Sequence, residues 1–204
     1  MTKRYARLFF AFLFLIMVLA NGRSDPASRS SPPQTQASVL SPREFLGFDI
    51  GQDRQLADWA QIQSYFTMLE KNSDRLQVTE LGKTTEGLPL IMAVISSRAN
   101  LHNLARYQAL QQRLADPRGL SQPDAEKIIG EGKVIVLLTC NIHSTEVASA
   151  QTALEFAYRM VTEDSERVRE ILDRVILLLV PSLNPDGQDM VVKWYRKYVG
   201  TPYE

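Results

Sequence analysis

Cysteine is nearly missing from these 204 residues: Cys140 stands alone inside an apolar run, so no intrachain disulfide can staple the fold. It reads as a buried small hydrophobe. Histidine is almost as scarce, with His102 and His143 the two in the chain, which confines any imidazole chemistry to two positions. Excess charge of one sign is also lacking. The 23 Lys and Arg balance the 23 Asp and Glu and are scattered rather than blocked, which leaves no electrostatic footprint for nucleic acid or for an anionic membrane surface. No apolar run reaches the ~20 residues of a membrane-spanning helix, and no internal repeat is visible.

What is present begins with a basic start (Lys3, Arg4, Arg7) and an unbroken apolar run from Leu8 to Ala20. This predicts a secretory signal peptide over residues 1–20, with Val18-Leu19-Ala20 as an acceptable cleavage site, and hence export to a periplasmic or extracellular space. No cysteine lies at the end of the run to carry a lipid anchor. Residues 21–41 are rich in Ser, Pro, Gln and Arg and poor in large apolar residues, so they predict a flexible leader. Residues 42–204 then have the size and composition of one globular domain.

Within that domain, apolar residues at Leu56, Trp59, Ile62, Phe66 and Leu69 recur at helical spacing and predict a helix over 53–70. Two β-rich runs, Leu76 to Leu81 and Pro89 to Ser96, joined by a turn with Gly82 and Gly87, predict an antiparallel hairpin. Helical spacing returns over Asn100 to Ala115 and from Gln122 to about Gly130. The run Lys133 to Cys140 is continuously apolar, as in a parallel strand covered on both faces, and predicts the central strand. A helix over Ser144 to Val161 and a second buried run, Val175 to Val180, complete a βαβ unit. The expected architecture is a three-layer α/β/α sandwich with a mixed, mainly parallel sheet.

Chemistry concentrates where the central strand ends. Leu137 to Gln151 (LLTCNIHSTEVASAQ) places His143 and Glu146 three residues apart at the carboxyl edge of the sheet, where open α/β sheets gather ligands. Imidazole nitrogen and carboxylate oxygen are both zinc donors, and residues three apart at a strand-to-helix turn can converge on one ion. The pair also admits a bland reading, in which Glu146 complements a helix N-terminus and His143 is a loop residue. After the next strand comes Asn184-Pro185-Asp186-Gly187, which by itself is a good turn.

The two motifs together, N-I-H-S-T-E and L-N-P-D-G at the ends of successive buried strands, resemble the zinc carboxypeptidase family (the carboxypeptidase A-like metallopeptidases). Glu80 to Ser96 (ELGKTTEGLPLIMAVIS) is similar to that family's early hairpin. The resemblance runs from about Pro42 to the last residue. It implies that His143 and Glu146 are zinc ligands, that the cofactor is Zn2+, and that the substrate is a peptide with a free C-terminus. Thr145 departs from the arginine often found between these ligands, and the Asn184 to Gly187 loop carries no implied catalytic part.

The resemblance also implies a second histidine ligand, a glutamate general base and substrate-binding arginines. None has a match in this sequence. His102 falls in a predicted helix ahead of the central strand, and the surroundings of Arg196 (Trp194-Tyr195-Arg196-Lys197) do not fit an arginine motif. The chain stops at Thr201-Pro202-Tyr203-Glu204 in what reads as a loop, so the expectation is the N-terminal portion of a carboxypeptidase domain, inactive alone, with the missing groups beyond Glu204. A zinc-dependent deacylase of the same fold and a non-catalytic exported binding protein remain as alternative functions.

Overall fold

The computed structural model describes residues 39–204; the expected signal peptide and the leader up to residue 38 lie outside the described residues. The elements run α1 (Pro42–Leu46), α2 (Trp59–Asn72), β1 (Leu76–Lys83), β2 (Pro89–Ile95), α3 (Arg98–His102), α4 (Leu104–Ala115), α5 (Gln122–Glu131), β3 (Val134–Thr139), α6 (Val147–Thr162), α7 (Glu166–Arg174), β4 (Val175–Val180) and α8 (Pro185–Tyr198). None of these helices is long and apolar enough to cross a membrane.

Strand order is β1-β2-β4-β3, with β1–β2 and β2–β4 antiparallel and β3–β4 parallel. The sheet is therefore mixed, as expected. Among the described strands its parallel part is confined to one pair, because the hairpin joins through β2 in the opposite sense.

The period-2 alternation of the strands sorts their side chains between two helical layers. Ile91, Ala93, Ile95, Leu177 and Leu179 enter one core with Trp59, Ile62, Phe66 and Leu69 of α2 and Ala150, Leu154 and Ala157 of α6. Their neighbours Val94 and Ile176 face the other way, onto Leu101 of α3 and Tyr107 of α4. Both faces of the inner strands are covered, which gives the three-layer arrangement.

Several boundaries move for identifiable reasons. The helix expected from residue 53 begins at Trp59, since Asp58 caps it and Gln61 closes a capping box. The single helix expected over 100–115 is two, meeting at Asn103. The end of the predicted leader is engaged by the core: the Tyr65 hydroxyl donates to the Leu40 carbonyl at 2.9 Å and Ser41 caps α1.

The run expected as the central strand forms β3 (Val134–Thr139), which stands at one end of the order among the described strands, and the strand buried on both faces there is β4. The two strands are equally apolar, a composition that suits strands covered on both faces. Every residue of β3 is exposed, Leu137 at 62%, and among the described residues nothing pairs with its outer edge. Such an edge is a template for another strand. The 204-residue chain is therefore expected to self-associate at micromolar concentration. Leu137→Lys should raise the monomer fraction in sedimentation velocity, and an unchanged distribution would place the sticky surface elsewhere.

Candidate metal centre

At the end of β3 the chain turns sharply through Asn141, whose φ of 49° is the left-handed conformation that asparagine tolerates better than most residues. Its buried side chain donates through Nδ2 to Gln188 Oε1 of α8, and its backbone N–H donates to Ser149 Oγ at 2.9 Å. Asn141 Oδ1 is buried with no hydrogen-bond partner. The turn sends Ile142 to Thr145 outward, and α6 begins only at Val147, three residues later than its periodicity suggests.

His143 and Glu146 come together there. His143 Nδ1 lies 2.8 Å from Glu146 Oε1, and the His143 backbone N–H donates to Glu146 Oε2 at 3.2 Å. Both side chains are open to solvent, His143 at 76% and Glu146 at 47%. The hydrogen bonds from His143 hold the Glu146 carboxyl below the usual carboxylate range, so it stays ionised. Glu146 occupies the N-cap position of α6 but makes no side-chain cap bond, since its carboxylate is turned back to His143. A side-chain cap is therefore absent, while the charge of Glu146 still lies at the N-terminus of α6, where it complements the helix dipole.

Donor chemistry and spacing suit a cation: an imidazole nitrogen and an ionised carboxylate oxygen 2.8 Å apart can both lie within roughly 2.0 to 2.2 Å of one zinc ion. Glu146 also borders a cleft of about 450 Å3 lined in part by Cys140, Asn141, Ser149 and Leu183. Among the described residues no group of three or more His, Cys, Asp or Glu side chains converges on a metal position. His102 is exposed at the end of α3, and Arg196 is spent on structure, its guanidinium bound to Asp58 Oδ2 at 2.7 Å and to the Leu56 carbonyl.

The second motif corrects another expectation. Asn184-Pro185-Asp186-Gly187 is not a loop at the cleft but the start of α8, with Asn184 as N-cap and Pro185 in the first turn. The order N-cap then proline is itself a helix-start signal, and it could have been read from the sequence. Asn184 Oδ1 accepts from Gly187 N at 2.9 Å, while Asn184 Nδ2 donates to the Ile142 carbonyl at 3.2 Å. Asp186 reaches the hairpin, accepting from Thr84 Oγ1 at 2.6 Å and from the Glu86 backbone N–H at 3.2 Å. Gly187 has no room for a side chain: a Cβ there would collide with Ser144 Oγ and lie 2.6 Å from Asn184 Nδ2.

Each residue of the motif thus has a local task, and the motif as a whole seats the His143–Glu146 loop on α8. Gln188 extends the seat, passing from Asn141 on one side to the Ala57 carbonyl at 2.8 Å on the other. No spacing signal in the sequence singles out Asn141 or Gln188.

A family model for zinc carboxypeptidases matches residues 62–199. No curated protein is matched by the sequence. Among solved structures, thrombin-activatable fibrinolysis inhibitor superposes with a TM-score of 0.52 at 16% identity, over 76% of this chain and 33% of that one. Carboxypeptidase A from Helicoverpa armigera gives 0.48 at 16% identity, over 78% and 32%. A metallo-carboxypeptidase from Burkholderia cenocepacia gives 0.43 at 19%, over 65% and 28%. At these identities the likeness concerns the fold, and it is the first superposition that carries it. The chain spans about a third of the length of the first of these structures.

Proposed function

We propose that this chain, which belongs to the zinc carboxypeptidase family, supplies two of the zinc ligands, His143 and Glu146, of a metallocarboxypeptidase that removes C-terminal residues from peptides. The observation that carries this reading is the pair of donors 2.8 Å apart at the carboxyl end of a parallel strand. Glu146 contributes an ionised oxygen and His143 a ring nitrogen, and the exposure of both leaves room for a further ligand and a peptide. Zinc held there would lower the pKa of a bound water toward ~7 and polarise a peptide carbonyl.

Residues 42–204 are, on this reading, the N-terminal portion of the catalytic domain, preceded by a signal peptide over 1–20 and a leader over 21–41. The basic start and short apolar run support export. A catalytic zinc site has three protein ligands and an open position. The described residues bring two together, so the 204-residue chain alone is expected to hold zinc weakly and to release no amino acid.

The test uses peptides with free and with amidated C-termini. Protein isolated from the native host should release C-terminal residues from the free acids alone, and a chelator should stop the release. Equal cleavage of the amidated set would sink the carboxypeptidase reading, and chelator-sensitive release by the 204-residue chain would show that the active site is misplaced here.

A further inference from the structure

We propose that Asn184 is the positioning residue of the metal pair, holding the His143–Glu146 loop through its side-chain amide independently of its role as a helix cap. The inference rests on His143 and Glu146 being ligands and deepens that reading.

The argument starts from what an N-cap requires. Asparagine, aspartate and serine serve about equally well, because the cap uses one accepting oxygen. At Asn184 that oxygen is Oδ1, which takes the Gly187 N–H at 2.9 Å. The amide nitrogen is left over for another purpose, and of the three cap residues asparagine alone has it. It donates to the Ile142 carbonyl at 3.2 Å and approaches Ser144 Oγ at 3.4 Å, so it holds the backbone before His143 and the side chain after it.

The loop has little else to fix it. His143 and Glu146 are mostly solvent-exposed, so packing does not set their rotamers. The hydrogen bonds within the segment, Glu146 N to His143 O and Ser149 Oγ to Glu146 O, close it upon itself without tying it to the body of the domain. Among the described residues, Asn184 is the only side chain from another element that bonds to residues 142–146. Gly187 makes the grip possible, since any larger residue there would push Ser144 off the first turn of α8. Groups that orient metal ligands from behind change affinity by about 10 to 100-fold when removed. Asn184 acts on the loop rather than on a ligand atom, so the low end of that range applies.

The experiment is a Zn2+ titration of the 204-residue chain by calorimetry, beside thermal unfolding of the metal-free protein. Asn184→Ser keeps the cap oxygen and deletes the amide donor. It should weaken Zn2+ binding about tenfold and leave the metal-free Tm unchanged. Ser144→Ala should weaken binding slightly in the parent and not at all in the Asn184→Ser background, the non-additivity expected of contacting residues. Unchanged zinc affinity in Asn184→Ser, with binding lost in His143→Ala, would overturn the positioning role and leave the ligands in place. A metal-free Tm that falls with the affinity would assign Asn184 to the cap alone and also overturn it. Zinc retained in both His143→Ala and Glu146→Ala would instead overturn the ligand reading, and the positioning role with it.

Discussion

Replacing His143 or Glu146 by alanine is expected to cut zinc affinity by at least ~100-fold, above the range seen when outer partners are lost, while the fold remains intact. Two donors 2.8 Å apart become one in either variant, and a single exposed side chain does not retain a borderline cation against water. Stability should hardly move, because both side chains lie on the surface and substitutions there usually fall within about ±0.5 kcal/mol. Glu146→Gln sharpens the test, since it keeps the size and the hydrogen bond from the His143 N–H but removes the charge. Equilibrium dialysis with metal analysis gives the answer, and undiminished zinc in both alanine variants would end the assignment.

The second large effect concerns the scaffold. Phe66 is fully buried in α2 and belongs to the core formed by α2, α6 and the sheet. Phe66→Ala removes most of a ring from a close-packed interior and should cost about 3 to 5 kcal/mol, a large part of the ~5 to 15 kcal/mol that stabilises a typical domain. The urea midpoint should drop with little change in slope. Because the N-terminal end of α2 is tied to α8 through Gln188 to Ala57, Asp189 to Trp59 and Arg196 to Asp58, the loss loosens the helix that seats the His143–Glu146 loop. A midpoint within error of the parent would mean that this core is not packed as described.

Much of this was legible in the residue pattern. Helical spacing from Trp59 to Leu69, the hairpin runs and the two apolar strands follow from periodicity, which is a local property of the chain. The H-x-x-E pair was legible as donor chemistry at a strand end. What could not be read was lateral order in the sheet, because β3 and β4 are equally apolar and neither announces its neighbours. Helix α7 was hidden by its polarity, with Val168 and Leu172 its buried residues. Helix α8 was legible in the order of N-cap and proline, although the same four residues also suit a turn. Asn141 and Gln188 were invisible because their partnership joins positions 47 residues apart.

That separation bears on when the site can exist during biosynthesis. A ribosome adds residues in order, and the loop carrying His143 is synthesised well before the amide that grips Ser144, 40 positions later. The hairpin waits longer still, since its turn is fastened by a carboxylate 102 positions downstream of Thr84. Closing such long spans slows the search for the native state, and domains generally settle as units once their distant parts are available. If His143 and Glu146 hold zinc as proposed, nascent chains released before Tyr198 should bind metal no better than the unfolded peptide, and metal uptake should follow the arrival of the last helix rather than that of these two residues.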